Sequence, residues 1–150
     1  MNKFDQVRQY TKFANREDID NFEKAVWGLA ASGDPEVLRK LLDLFDDECP
    51  YDEVMHSLMH AIETYPAEVY VKILLEKLED LVKKSPFWAR VLVVPTWNHP
   101  MYLSIFRSCM SLASEVALLD LFDIVEKELP HRHDLITEFR KELAATKADN

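Results

Sequence analysis

Apolar residues recur at helical spacing along most of this chain. Asp34 and Pro35 are typical of an N-cap and a first helical position. Directly after them, one apolar stripe with a period of 3.6 residues is formed by Val37, Leu38, Leu41, Leu42 and Phe45. The same spacing predicts about seven or eight helices, near residues 18–32, 35–46, 51–64, 66–83, 86–97, 100–113, 115–129 and 132–146.

Two segments are ambiguous from spacing alone. The run from Val91 to Val94 favours a strand, but it follows the helix start at Ser85 and Pro86. We therefore expect a buried helix there, which Pro95 kinks or ends. The arm of residues 1–15 has apolar residues at helical spacing, and either a packed helix or a loosely packed segment fits it.

A weak internal repeat indicates how the helices are arranged. Pro35, Pro66 and Pro100 each precede an apolar helix, at intervals of 31 and 34 residues. A helix pair that returns at a near-constant interval predicts stacked αα-hairpins, as in HEAT and armadillo solenoids. We thus expect one all-α domain over residues 1–150, with a repeat body over 16–147 after the arm. An irregular helical bundle is the alternative.

The charge balance disfavours anionic partners. Asp and Glu number 27 against 18 Lys and Arg, which gives a formal net charge of −9. This charge repels nucleic-acid phosphates and anionic lipids and favours a cationic partner. Only two glycines occur, Gly28 and Gly33, so the chain has neither a phosphate-binding Walker loop nor a dinucleotide fingerprint.

Cysteine use and the N-terminus indicate a reducing compartment. Cys49 and Cys109 stand alone, without the spacing of a metal site or a disulfide framework. The first residues lack the apolar core of a signal peptide, and no apolar stretch is long enough to span a bilayer. We therefore expect a cytoplasmic protein with no cofactor.

The segment 51–63 separates into an apolar and a polar face when it is placed on a helix. Histidines four residues apart beside carboxylates have the chemistry to hold zinc. Serine follows His56, however, so the segment lacks the glutamate of the HExxH motif. Three interpretations stay open: a solvated helix face, a protein-binding face, or a metal site. The polar face carries Glu53, His56, His60 and Glu63.

Acidic residues also precede this helix. Asp46, Asp47 and Glu48 lie at the C-terminal end of the predicted helix 35–46, where the helix dipole disfavours acids, and Asp52 lies at the start of the next helix. A cluster that opposes the local preference predicts contact with a basic partner. Trp97 lies beside a turn that can expose it. The predicted partner-binding residues are Asp46, Asp47, Glu48, Asp52, Glu53, His56, His60, Glu63 and Trp97.

These segments resemble a known bacterial family. Leu44–Glu48, the sequence EVMHSLMHAIE of Glu53–Glu63, Tyr70, and Trp88 with Ala89 look like the immunity protein 30 family. The resemblance covers roughly residues 35–125 and consists of hydrophobic and acidic positions. The family belongs to polymorphic-toxin and contact-dependent growth inhibition systems. The resemblance therefore implies a small, all-helical protein that binds and neutralises one cognate toxin domain.

The resemblance also implies the chemistry of the partner. Such toxins are often nucleases with basic substrate clefts, which suits the acidic balance of this chain. We therefore expect a non-catalytic immunity protein that forms a one-to-one complex with a toxin domain in the bacterial cytoplasm. Two other functions stay open: a HEAT-like adaptor for an endogenous protein partner, and a metal-dependent hydrolase on His56, His60 and Glu63.

Overall fold

The structure is a computed structural model that describes residues 2–11 and 13–148. No strand occurs among these residues, and the predicted all-α class is confirmed. The ten α-helices of the described residues are α1 Lys3–Tyr10, α2 Arg16–Ala30, α3 Pro35–Leu42, α4 Asp52–Ile62, α5 Ala67–Glu76, α6 Leu78–Lys84, α7 Pro86–Val93, α8 Pro100–Cys109, α9 Glu115–Glu128 and α10 His133–Ala148. Among the turns between them are 3-10 turns at Val94–Asn98, Met110–Leu112 and Pro130–Arg132.

The start of α3 follows the capping chemistry that the sequence predicts. Asp34 Oδ1 accepts a hydrogen bond from the Glu36 backbone N–H at 2.9 Å. Pro35 occupies the first turn of α3, where its missing N–H costs no hydrogen bond. Just before this cap, Gly33 has a φ of 68°, a left-handed conformation that glycine adopts without strain. The break between α2 and α3 is therefore encoded locally.

The number of helices exceeds the prediction by two. The single helix predicted over 66–83 is wrong, because the chain breaks at Lys77 into α5 and α6. Lys77 Nζ lies 2.8 Å from Asp43 Oδ1 and 3.2 Å from Asp80 Oδ2. The ion pair with Asp43 connects this break to the end of α3. The other additional helix is α1 in the arm. It packs against α2 and fully buries Val7.

The valine-rich segment is helical, as predicted, but its helix is shorter than expected. Helix α7 ends at Val93, whereas the prediction extended it to residue 97. Pro95 lies in the following 3-10 turn, Val94–Asn98. Proline has no backbone N–H to donate and crowds the preceding turn, so the α-helix ends before it.

The solenoid stays a prediction. The helices that follow Pro35, Pro66 and Pro100 contact one another in succession, α3 with α5 and α5 with α8. The segments between them are unequal, however: α4 alone separates the first two, whereas α6, α7 and a 3-10 turn separate the second two. This irregularity lies where Lys77 and Pro95 interrupt the predicted helices.

Four aromatic rings pack together in the core of the C-terminal half. The Trp97 ring centroid lies 5.6 Å from that of Phe106 and 5.1 Å from that of Phe139. Phe122 stacks on Phe139 at 5.6 Å. All three phenylalanines are fully buried. Helices α8, α9 and α10 are therefore held together around the 3-10 turn that carries Trp97.

Candidate functional site

The exposed side of α4 carries five of the predicted partner-binding residues. Its opposite side lies in the core, where Val54, Leu58 and Ala61 are fully buried. The predicted division of this helix into an apolar and a polar face is thus confirmed. We call the exposed side the α4 face, and its residues are Asp52, Glu53, His56, His60 and Glu63.

Helix α2 borders the α4 face on one side. Arg16 Nη1 donates to Glu53 Oε1 at 2.8 Å, and the negative charge of Glu53 raises the pKa of Arg16. Farther along, the indole N–H of Trp27 donates to Ser57 Oγ at 3.2 Å. Trp27 is nevertheless 42% exposed. Apolar surface therefore lies directly beside the charged residues of α4.

Helix α7 borders the α4 face on the other side. The His56 ring packs edge-on against Trp88, with ring centroids 5.3 Å apart. The neighbouring Phe87 is 47% exposed, and Tyr51, which precedes the first residue of α4, is 37% exposed. With Trp27, these make three large exposed rings around the α4 face.

Sequence reasoning missed these three rings as candidate binding residues. A signal existed for Trp27, because the buried stripe of α2 includes Phe22 and Val26, and the position after Val26 lies off that stripe. Tyr51 and Phe87 carry no such signal. Their exposure depends on how the start of α4 and the start of α7 meet the rest of the fold.

Two of the loop acids stabilise the fold. Asp46 Oδ1 accepts a hydrogen bond from the Glu48 backbone N–H at 2.9 Å. The Asp47 carboxylate accepts bonds from the backbone N–H groups of Phe87 at 3.0 Å and Trp88 at 3.3 Å. Asp47 therefore caps α7 from 40 positions away. The expectation that this acid opposes a helix dipole is wrong, because α3 already ends at Leu42 and Asp47 instead complements the dipole at the start of α7.

Replacing Asp47 by alanine is expected to lower the free energy of unfolding by about 1 kcal/mol, because two N–H groups at the start of α7 lose their acceptor. Asp47→Asn keeps an acceptor oxygen and should lose less. Urea denaturation followed by circular dichroism measures both variants. Equal stability of Asp47→Ala and the wild type would contradict this capping role.

The remaining acids of the loop and of the start of α4 make fewer contacts within the fold. Glu48 and Asp52 are exposed, and within residues 2–11 and 13–148 neither carboxylate forms an ion pair. Glu48 also lines a cavity of about 470 Å³ beneath α1, where Arg8 and Lys84 offset the acidic charge. The predicted cluster therefore divides into structural acids and acids available to a partner.

Trp97 does not belong to this surface. It is 4% exposed and lies in the C-terminal aromatic core, so the expectation of an exposed tryptophan at the turn is wrong. The neighbouring Asn98 and His99 are exposed. The exposed character of the turn thus comes from its polar residues, whereas the indole points into the core.

The two histidines of α4 turn to different neighbours. His56 packs on Trp88, whereas His60 Nδ1 lies 3.5 Å from Glu63 Oε2. Across the part of the chain that the structure describes, no group of three or more His, Cys, Asp or Glu is arranged to hold a metal ion. Both cysteines are free thiols, and burial raises the pKa of Cys49.

Within the described residues, no helix combines the length and apolarity that crossing a membrane requires.

Comparison with known proteins identifies the family. Neither the curated proteins nor the solved structures gave a match. The family model described as immunity protein 30 matches residues 9–106, which is more than half of the chain. This match begins and ends earlier than the resemblance over 35–125, and it contains α2 to α7 entirely. The chain therefore belongs to the immunity protein 30 family.

Proposed function

We propose that this protein neutralises a cognate toxin domain in the bacterial cytoplasm by binding it one-to-one through the α4 face. Its family indicates immunity against a toxin, and immunity proteins are generally non-enzymatic. The observation that carries the proposal is the combination of acids and exposed aromatic rings on one surface. The acids are Asp52, Glu53 and Glu63 of the α4 face, and the rings that border it are Trp27, Tyr51 and Phe87.

The two kinds of side chain have different tasks in this proposal. Carboxylates around α4 attract a basic toxin surface over a distance and speed the encounter. The aromatic rings bury large apolar areas on contact and slow dissociation, as aromatic anchors do in other interfaces. The toxin is a nuclease in this proposal, because a cleft that binds phosphates presents the basic surface that an acidic face complements.

We expect this protein, without any other factor, to restore the growth of cells that express the toxin domain. The probe is the toxin domain encoded by the gene directly upstream, expressed with and without this chain. Co-expression should restore growth, and the purified mixture should elute as a one-to-one complex whose mass light scattering measures. A toxin domain of an unrelated system serves as the control and should stay toxic. Absence of both rescue and complex would contradict the proposal.

A further inference from the structure

A small cavity opens at the C-terminal end of the α4 face. It lies between the end of α4, helices α5 and α8, and the end of α7 with the turn that follows it, and its volume is about 280 Å³. Glu63, the residue after α4, contributes a carboxylate to its lining. We call this cavity the Glu63 pocket. It is lined, among others, by Glu63, Tyr70, Leu92, Thr96, His99 and Tyr102.

Most polar groups of the Glu63 pocket are already engaged. The Tyr70 hydroxyl donates to the Leu92 carbonyl at 3.3 Å, and the Thr96 hydroxyl donates to the Val93 carbonyl at 2.6 Å. His99 Nδ1 accepts from the Met101 backbone N–H at 3.2 Å. These bonds fix the walls of the pocket and leave few polar groups free to receive a ligand.

The Glu63 carboxylate is the exception. Its nearest cationic candidate in the described residues is His60 Nδ1 at 3.5 Å, and the Glu63 side chain is 45% exposed. Burial raises the pKa of Tyr70, and the negative charge of Glu63 raises it further, which agrees with a carboxylate close to the Tyr70 hydroxyl. Glu63 also occupies the C-cap position of α4, where the helix dipole favours a cation.

Aromatic faces complete this environment. The rings of His99 and Tyr102 pack edge-to-face with centroids 5.5 Å apart. Pro95, which is exposed, adds an apolar wall. A pocket with aromatic and apolar walls and one carboxylate suits a cation on an apolar stem. A neutral apolar group would desolvate Glu63 without pairing it, and an anion would be repelled.

We propose that the Glu63 pocket receives an arginine side chain of the toxin, an inference that rests on the proposed function. The guanidinium pairs with Glu63 through two N–H groups, and its flat face lies against the Tyr102 ring. The methylene stem packs along Pro95. Arginine fits better than lysine, because the planar guanidinium both stacks on an aromatic ring and donates to a carboxylate.

The first test needs no toxin. N-acetyl-arginine amide is titrated against the protein while the ring signals of His99 and Tyr102 are followed by nuclear magnetic resonance. We expect saturable shifts with a Kd on the order of 1–10 mM, as small fragments give. N-acetyl-citrulline amide has nearly the same shape without the charge and should bind about tenfold more weakly.

Substitutions test whether the arginine probe binds at Glu63. Glu63→Gln should weaken binding of the arginine probe about tenfold, because the ion pair is lost while the side-chain shape is kept. Glu68→Gln makes the same change on exposed α5 surface and should leave binding unchanged. Equal shifts with the arginine and citrulline probes, or equal probe binding by wild type and Glu63→Gln, would overturn the pocket.

The toxin complex supplies a separate readout. Glu63→Gln should weaken binding of the toxin domain by about tenfold, whereas Glu68→Gln should not. Unchanged toxin affinity in Glu63→Gln would overturn the role of the pocket in toxin recognition, even if growth rescue still supported immunity. Conversely, probe binding without growth rescue would refute the proposed function while the pocket stood as a cation site.

Discussion

Replacing Phe139 by alanine is expected to lower the free energy of unfolding by about 3–5 kcal/mol, the usual range for a buried phenylalanine. Phe139 is fully buried, and its ring contacts those of Trp97, Phe106 and Phe122, with centroids 5.1–5.6 Å apart. The Arg107 guanidinium also lies over the ring, 5.6 Å from its centroid. Alanine would leave a cavity among three rigid rings, which have little freedom to collapse into it.

Urea denaturation followed by circular dichroism measures this loss. Leu112→Ala is the matched control, since Leu112 lies near the same helices but is 44% exposed and should change stability by about 0.5 kcal/mol or less. Equal losses in the two variants would show that Phe139 does not belong to a cooperative core.

The aromatic core extends beyond the segment that the family model matches. The family match stops at residue 106, yet Phe122 and Phe139 complete the packing around Trp97 and Phe106. A chain cut at residue 106 would expose two large aromatic rings from the interior. We therefore expect α9 and α10 to be necessary for stability, although they lie outside the matched segment.

Local features of the fold were predictable from the sequence. The cap at Asp34, the glycine before it and the two faces of α4 depend on residues within a few positions of one another. Helical spacing and caps act over that range, and the sequence displays them directly. The family resemblance could also be recognised from a local pattern, because its hydrophobic and acidic positions concentrate around α4.

Long-range contacts could not be predicted in this way. The predicted helix 66–83 is interrupted at Lys77 although its apolar spacing continues, and this lysine pairs with Asp43, 34 positions earlier. Asp47 caps a helix 40 positions later. Trp97 is buried by Phe122 and Phe139, from helices that follow it. Each outcome depends on which helices meet in space, and a local pattern does not specify that.

The roles found for the acids decide which charges should be reversed. In the double variant Asp47→Lys with Glu53→Lys, a loss of toxin affinity could not be separated from a loss of stability. Asp47 caps α7, and Glu53 pairs with Arg16. Glu48→Lys with Asp52→Lys avoids both contacts. We expect this second double variant to associate with the toxin domain at least about tenfold more slowly at low salt, because two positions that attract a basic surface would repel it at the encounter.

Stopped-flow measurement of toxin association at low and moderate salt tests this prediction, and the difference should shrink as salt screens exposed charges. Asp120→Lys with Asp134→Lys is the matched control. It makes the same change in net charge on exposed positions of α9 and α10, and Asp134 lies in the first turn of its helix, as Asp52 does. The helix-dipole cost of about 0.3–1 kcal/mol is therefore comparable in the two double variants. If both slow association equally, net charge alone attracts the toxin, and its docking site includes neither the start of the α4 face nor the loop before it. If only Glu48→Lys with Asp52→Lys does so, the toxin approaches the start of the α4 face and the loop that precedes it.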